Sequence, residues 1–402
     1  MLGPGAARRL ATGLGRIGAA VLWLPTSYLL AVSVAGLLPP RKASPTSAQW
    51  AGRLTVLVPA HDEERGLAAT LHSLARCTAP PDGLHVIVVA DNCSDTTAEV
   101  ARRCGVEVWE RTSPLRGKGY ALRWAMDRLL AEAESPSAVA IVDADTVVDA
   151  DFLLVAANRL AQGARAVQGV YRAARPHEAA LLTRLTDAAA ACQSVLRPRG
   201  RARLGGAAKL QGNGMVFATD VLRAVPWDAY GVAEDVGYWI RLLRAGIHPV
   251  HEPRCGVESA MPTDVTAARV QRARWETGRV EVVREHRWPA LRQAWVQHDP
   301  VLAEAVVSEL VFPPLAPMAG AVAAAALLTA VGTAADRRAG LRTGAAQGAV
   351  LVGHALAGLR VTQAPPQTYL ALAAAPGVVA WKIWTKLAQR GRPGDWQRTP
   401  RP

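Results

Sequence analysis

Short apolar runs alternate with longer amphipathic segments between residues 53 and 142. The runs have the length and the branched side chains of buried strands, and we predict strands at 54–59, 84–90, 106–109 and 138–142. The segments between them have helical spacing, and we predict helices at 66–77, 94–104 and 119–130. This order is typical of βαβ units, so the chain is expected to fold as an α/β protein around a mainly parallel sheet.

Polar clusters follow three of the predicted strands. They are His61-Asp62-Glu63-Glu64, Asp91-Asn92-Cys93-Ser94-Asp95 and Asp143-Ala144-Asp145. In open α/β sheets, ligands bind beyond the carboxyl ends of the strands. The sequence therefore predicts a binding site along this edge of the sheet.

Asp143 and Asp145 are two residues apart at the end of an apolar run. In an extended backbone both carboxylates project to one side, where they can share a cation. Mg²⁺ prefers such oxygen ligands and often completes its shell with substrate phosphates. A DxD sequence alone is a weak signal, because exposed turns produce many of them, but the preceding apolar strand favours a metal site.

Two further groups of residues can each be interpreted in two ways. Glu234-Asp235 is either a reactive carboxylate pair or the acidic first turn of a helix ending near Arg244, where carboxylates meet the helix dipole favourably. Gln271, Arg274 and Trp275 lie on one helical face, at i, i+3 and i+4. They are either a ligand-binding face or part of an amphipathic helix anchored by Trp at a membrane surface.

Six motifs occur in a fixed order along the chain. They are Val58-Pro59-Ala60-His61-Asp62-Glu63, Val89-Ala90-Asp91-Asn92-Cys93-Ser94-Asp95, Gly117-Lys118-Gly119, Asp143-Ala144-Asp145, Ala233-Glu234-Asp235 and Gln271-Arg272-Ala273-Arg274-Trp275. Over about residues 53–285 this series resembles the family 2 glycosyltransferases of the GT-A fold. The last motif is similar to the QxxRW of the membrane subgroup, which includes cellulose, chitin and poly-N-acetylglucosamine synthases and ceramide glucosyltransferase.

The resemblance implies an inverting transferase that uses a nucleotide-diphosphate sugar, expected to be a UDP-sugar. It implies a Mg²⁺ or Mn²⁺ ion at Asp145 with Asp143 nearby, and Asp235 as the catalytic base. The donor-nucleotide residues would be Pro59, His61, Glu63, Asp91, Lys118 and Asp143. The residues on the acceptor and diphosphate side would be Glu234, Gln271, Arg274, Trp275 and Asn213, the last in the loop Gln211-Gly212-Asn213-Gly214-Met215, which is otherwise an ordinary turn.

Two positions depart from the family pattern. Asp62 stands where the family has Asn, and Ala90-Asp91 replaces a pair of aspartates, so one carboxylate is left. Because of these departures, the preference for the base and the sugar of the donor can differ from that of the family. The acceptor is either a polysaccharide or a lipid. A catalytically inactive membrane scaffold of the same fold and a nucleotidyltransferase remain as alternatives.

Residues 17–38 form an uncharged stretch of 22 residues, long enough to cross a bilayer as a helix. Further spans are predicted near 315–334, 344–359 and 369–384. The resulting organisation is a tail at 1–16, a transmembrane helix at 17–38, a linker at 39–52, a GT-A domain at 53–290, interfacial helices at 291–314, transmembrane helices at 315–385 and a basic tail at 386–402.

Basic residues flank the predicted C-terminal spans. They are Arg337, Arg338 and Arg342 in one predicted loop and Lys382, Lys386, Arg390 and Arg392 in the tail. By the positive-inside rule we expect a multi-pass protein of the cell membrane with a cytoplasmic catalytic domain.

The formal net charge is +13, but the basic residues are spread along the chain and no nucleic-acid motif is present, so no nucleic-acid partner is expected. The five cysteines never form a CxxC pair, and their spacing suggests neither a disulfide framework nor a zinc site.

Overall fold

The computed structural model describes residues 3–39, 49–174, 181–260 and 265–378. These residues divide into two units. The sheet unit contains 49–174, 201–260 and 265–310, and the helical unit contains 3–39, 181–200 and 311–378. Residues 181–200, which lie inside the domain expected at 53–290, therefore belong to the helical unit, and the sheet unit continues to residue 310.

The sheet has eight strands among the described residues. They are β1 Leu54–Ala60, β2 Leu84–Asp91, β3 Glu107–Arg111, β4 Ala138–Ile141, β5 Thr146–Val148, β6 Ala166–Ala174, β7 Met215–Ala218 and β8 Val250–Ala260. Their order across the sheet is β3-β2-β1-β4-β7-β6-β8-β5.

The sheet has a parallel half and a mixed half. β3, β2, β1 and β4 are all parallel, and each matches a predicted strand to within two residues. β7 is antiparallel to both β4 and β6, β6 is parallel to β8, and β5 is antiparallel to β8. The α/β class is confirmed, and the sheet is mixed because the second half reverses its direction.

The described helices follow in chain order. They are α1 Pro4–Leu37, α2 Leu67–Ala75, α3 Thr97–Arg103, α4 Lys118–Ala131, α5 Phe152–Ala161, α6 Leu181–Ala190, α7 Arg197–Arg203, α8 Thr219–Ala224, α9 Glu234–Arg244, α10 Val265–Gln297, α11 Pro300–Val306, α12 Leu315–Ala330, α13 Ala334–Val361 and α14 Pro366–Ala371. Two π-helical segments, Ala191–Leu196 and Val307–Val311, extend α6 and α11, and a 3-10 turn at Leu372–Ala374 follows α14.

Both faces of the parallel half are buried. In β1, Val56 and Val58 pack on one face with Leu67 and Phe152, while Leu57 packs on the other face with helix α4 residues such as Leu122. A sheet covered on both faces needs strands that are apolar throughout. That requirement explains why these strands could be found as continuous apolar runs.

Two expected boundaries differ in the structure. Helix α10 runs without a break across position 290, where the interfacial helices were expected to begin. Arg337 and Arg338, expected in a loop, lie in the first turns of α13. Thr333 and Asp336 form a capping box that starts this helix before the arginines, which explains the difference.

One described helix, α1, is long and apolar enough to cross a membrane, and it contains the span predicted at 17–38. A second candidate exists only if Pro300–Val311 and Leu315–Ala330 are taken together as one broken span. Helix α12 alone has 16 residues, fewer than the roughly 20 that a bilayer requires. The described residues do not support the multi-pass arrangement, and the last predicted span lies partly outside them, as does the basic tail at 386–402.

Candidate active site

Lys118 is the centre of a cluster of carboxylates in the sheet unit. It opens helix α4, and its ammonium group donates hydrogen bonds to Asp143 Oδ1 and, at 2.5 Å, to the Gly212 carbonyl oxygen. The same Nζ atom lies 4.0 Å from Glu234 Oε1. Three segments that are far apart in the sequence therefore meet at one ammonium group.

Negative charge exceeds positive charge in this cluster. Burial alone would lower the pKa of Lys118, but Asp143 and Glu234 outweigh burial and raise it above its ordinary value. Burial raises the pKa of Glu234 to about 7, and Asp235 adds to this rise while Lys118 opposes it. Burial also raises the pKa of Asp235, against the attraction of Lys209. The cluster thus holds protons more readily than ordinary carboxylates and would gain from another cation.

Glu234 and Asp235 occupy the first turn of α9, as the alternative reading of this pair required, and they also reach the Lys118 cluster. Gly212 lets its loop lie close to Asp235 and Lys118. Its φ of +76° lies in the left-handed region, and a Cβ there would be 3.6 Å from Asp235 Oδ2 and 3.7 Å from Lys118 Nζ. The loop at Gly212 therefore passes directly beside both side chains.

Asp143 and Asp145 lie between β4 and β5, with Asp145 in a turn. The expected extended geometry is therefore corrected, because β4 ends at Ile141 and the chain reverses into β5. Asn213 anchors this segment: its Oδ1 accepts from the Asp143 backbone N–H at 3.1 Å, and its Nδ2 donates to Thr146 and Ser259. Asn213 is only 1% exposed, so its side chain positions the loop.

The predicted donor residues lie at the ends of β1 and β2. Pro59 is within β1, and His61 donates from Nδ1 to the Asp91 carbonyl oxygen at 2.7 Å. The Glu63 N–H donates to Thr97 Oγ1 at 2.7 Å. Asp91 is buried and forms an ion pair with Arg111, its register partner at the end of β3.

Gln271, Arg274 and Trp275 are on helix α10, as their spacing predicted, but their side chains lie outside the described residues. The helix is fixed close to α9 one turn later. A Cβ at Gly278 would lie 2.9 Å from the Ala233 nitrogen, immediately before Glu234. The backbone of the QxxRW segment, residues 271–275, therefore lies about one to two helical turns along α10 from its contact with the start of α9.

Four residues of this region were not identified from the sequence: Arg111, Tyr171, Lys209 and Gly278. Burial, together with the charges of Asp143 and Asp145, raises the pKa of Tyr171 to about 12, which places its phenol near both. Lys209 donates to Glu309 Oε2 at 3.1 Å. Only Arg111 had a local signal, because it lies two residues after the strand predicted at 106–109 and ends the observed β3.

The donor set at Asp143 and Asp145 fits a hard divalent cation. It offers carboxylate oxygens, and Asp143 keeps a side-chain exposure of 32% although Lys118 contacts it. Mg²⁺ and Mn²⁺ prefer such ligands. The excess of Asp143, Glu234 and Asp235 over Lys118 further favours a bound cation.

Comparison with known proteins identifies the family of this chain. The family model described as "Glycosyltransferase like family 2" matches residues 51–278. The chain is 27% identical over 239 residues to the probable glycosyltransferase YdaM of Bacillus subtilis (strain 168), covering 58% of this chain and 56% of that protein. It is 36% identical over 92 residues to 4,4'-diaponeurosporenoate glycosyltransferase of Staphylococcus aureus (strain USA300), covering 23% of this chain and 24% of that protein. The chain thus spans about half or less of these curated relatives.

A solved structure shows the same fold. It is the mannosyltransferase PcManGT from Pyrobaculum calidifontis in complex with GDP-Man and Mn²⁺. The identity is 21%, the TM-score is 0.57, and the alignment covers 87% of this chain and 99% of that one. The likeness confirms a GT-A-like sheet.

Proposed function

Since the chain belongs to glycosyltransferase-like family 2, we propose that it transfers a sugar from a nucleotide-diphosphate donor to an acceptor hydroxyl, with inversion. The observation that carries the proposal is the Lys118 cluster, in which Asp143, Glu234 and the Gly212 loop meet at the carboxyl ends of parallel strands. We assign the transferase domain to the sheet unit, which leaves residues 181–200 out of the expected 53–290 and extends the domain to residue 310.

Asp143 and Asp145 would hold the metal ion, Mg²⁺ or Mn²⁺. A bound divalent ion neutralises the charge that develops on a departing diphosphate. Lys118 donates to Asp143 and lies at the same centre, so its ammonium group supplies fixed positive charge beside the phosphates. Tyr171 lies near enough to both aspartates for their charges to raise its pKa.

Asp235 would act as the base. Its carboxylate takes the proton of the acceptor hydroxyl while that oxygen bonds to the anomeric carbon and the bond to the nucleoside diphosphate breaks. A single displacement of this kind inverts the anomeric centre. Burial raises the pKa of Asp235, which makes it a stronger base than an exposed aspartate, and Lys209 favours its ionised form. Glu234, Arg274, Gln271 and Trp275 would complete the acceptor and diphosphate side, with Asn213 holding the loop.

A UDP-sugar is the proposed donor. Asp91 would bind the base, with Pro59, His61 and Glu63 around it. Arg111 and Asn92 both donate to Asp91 Oδ1, so Oδ2 is the oxygen directed to a base donor. A single imide N–H, as in uracil, matches one such oxygen.

The proposed acceptor is a lipid or a polysaccharide at a membrane. Helix α1 supports a location of the protein at the membrane. Large apolar side chains lie exposed along this helix: Leu10, Leu14, Ile17, Val21 and Leu24 are 54 to 67% exposed. Their spacing of three and four residues places them on one face. A continuous apolar face of this kind suits contact with lipid.

The test uses the purified full chain with Mg²⁺ or Mn²⁺, a membrane lipid extract, and a panel of UDP- and GDP-sugars. Release of the nucleoside diphosphate and the product mass are measured. We expect release from a UDP-sugar, and Asp145→Ala and Asp235→Asn should each reduce the rate by about 100-fold or more.

Asp220→Asn is the matched control, because Asp220 is a surface carboxylate of the same unit paired with Arg165. It should keep the wild-type rate. Near-normal transfer in both site variants would refute the site. A folded protein that releases no nucleotide from any donor would favour the inactive scaffold, and release of pyrophosphate from a nucleoside triphosphate would favour a nucleotidyltransferase.

A further inference from the structure

A second group of metal-ligating side chains lies apart from the carboxylate cluster. His61, Asp62 and Cys93 each offer one ligand atom, and the three atoms lie within 4.8 Å of one another. The group combines an imidazole nitrogen, a carboxylate oxygen and a thiol sulfur. The sequence placed the clusters that contain His61 and Cys93 at one edge of the sheet, but it did not suggest that the two side chains form a metal site.

The two loops that carry these residues are shaped to bring them together. Asp62 and Asn92 both have positive φ angles, 53° and 52°, within two residues of the ends of the parallel neighbours β1 and β2. Asp62 Oδ1 accepts a hydrogen bond from the Ser94 N–H at 2.6 Å, which ties one loop to the other. Cys93 Sγ lies 3.6 Å from the Ala60 carbonyl oxygen.

One ring nitrogen of His61 is hydrogen-bonded to the backbone, which leaves the other to bind a metal. A carbonyl oxygen can only accept, so the bond from His61 to Asp91 puts the ring proton on Nδ1. The lone pair of a neutral ring is then on Nε2, which lies 4.0 Å from Asp62 Oδ2. Metal-bound histidines commonly donate their second nitrogen to a carbonyl in this way.

The ligand types select the ion. Mg²⁺ and Mn²⁺ prefer oxygen, whereas Zn²⁺ takes nitrogen, sulfur and carboxylate oxygen together. Three protein ligands leave one tetrahedral position for water or another ligand. His61 is exposed, so an ion can enter from solvent.

We propose that His61, Asp62 and Cys93 form a Zn²⁺ site beside the donor loop. A bound ion would tie the β1 loop to the β2 loop next to Asp91. Because that is where the proposed function puts the donor base, Zn²⁺ would compete with the donor. The metal site itself does not depend on the transfer reaction.

Binding is tested with Co²⁺ as a spectroscopic substitute for Zn²⁺. The full chain is freed of metal, kept reduced with a phosphine, and titrated with Co²⁺ alone. We expect one equivalent to produce a thiolate-to-cobalt charge-transfer band that Zn²⁺ abolishes and excess Mg²⁺ does not. Cys93→Ser should remove the band. Cys104→Ser, at a half-buried cysteine of the same unit, should keep it.

A second variant guards against misfolding of the first. His61→Gln should weaken Co²⁺ binding by about tenfold or more, as loss of a ligand does. A wild-type protein without the band overturns the site, and so does a band that persists in Cys93→Ser or that disappears in Cys104→Ser.

The inhibitory role has its own readout. Zn²⁺, added at constant excess Mg²⁺, should raise the KM for the sugar nucleotide in the wild type and not in Cys93→Ser. Inhibition of equal strength in both would overturn the role. A chain that transfers no sugar would refute the proposed function and leave the Co²⁺ titration as the test of the site.

Discussion

Two ionic groups of the sheet unit lie beyond the ends of its parallel strands and are built differently. The Asp91–Arg111 pair joins β2 to β3 and is balanced, with both side chains 7% exposed. The Lys118 cluster joins four segments, and its one ammonium group faces Asp143, Glu234 and Asp235. One group is neutral as a whole, and the other carries excess negative charge.

The difference decides which of the two groups attracts a cation. A buried pair with matched charges has no net charge to attract a further ion, although Asp91 Oδ2 can still accept a hydrogen bond from the donor base. Like charges held together in a partly buried place raise each other's pKa and store repulsion that a cation can relieve. The balanced pair therefore fixes the shape of the donor side, and the unbalanced cluster is where a metal ion and a charged substrate gain most.

The largest effect is expected from breaking the balanced pair. Arg111→Met leaves the Asp91 carboxylate buried without its cation, and the free energy of unfolding should fall by about 3 to 5 kcal/mol in urea titrations. Adding Asp91→Asn to that variant removes the stranded charge and should recover a large part of the loss. If the double variant were no more stable than Arg111→Met, the pair would not be the source of the loss.

A smaller effect, with a pH signature, is expected from the unbalanced cluster. The pKa of Glu234 rises from an ordinary 4.5 to about 7, so the folded state binds the proton more tightly than the unfolded chain. Stability from this group is present below the lower value and is lost as the pH rises through the higher one. The wild-type free energy of unfolding should therefore decline by about 1 to 3 kcal/mol more than that of Glu234→Gln between about pH 5 and 8.

The same pH dependence of stability can be measured with and without a bound metal ion. Saturating Mg²⁺ or Mn²⁺ should reduce the wild-type decline, since the cation favours the ionised carboxylates. Glu110→Gln is the control, because Glu110 is a surface carboxylate, 60% exposed and paired with Arg102. It should leave the pH dependence unchanged. Parallel curves for the wild type and Glu234→Gln would mean that Glu234 titrates as an ordinary carboxylate.

The sequence predicted the parallel half of the sheet far better than the mixed half. β1 and β2 are continuous apolar runs because both faces of the sheet are buried. β8 contains Pro253 and shifts its register against β6 near Gly169, and β7 has only four residues. Strands of that kind lack a clear run or alternation, so no strand was predicted after residue 142.

The candidate site also contains residues that the sequence predicted and residues that it did not. Asp143, Lys118 and Asp235 were predicted from the order of motifs that resembles the glycosyltransferase family, and the structure brings all three to one place. Their partners were not predictable, because Arg111 reaches Asp91 through strand register and Gly212 reaches Lys118 through a loop about 90 residues later. Pairing across such distances is set by tertiary structure and leaves no local pattern.

The smallest effect is expected at Gly212, where activity and stability separate. Gly212 and Gly205 both have left-handed φ angles, +76° and +88°, so alanine at either should cost about 1 kcal/mol of unfolding free energy. Only at Gly212 would the new methyl group lie 3.6 Å from Asp235 Oδ2, since a Cβ at Gly205 meets nothing within 4 Å. Gly212→Ala should therefore slow transfer by about tenfold, whereas Gly205→Ala should not. Equal transfer rates in two variants of equal stability would show that the loop can move away from Asp235, and the cluster would then be less rigid than its contacts imply.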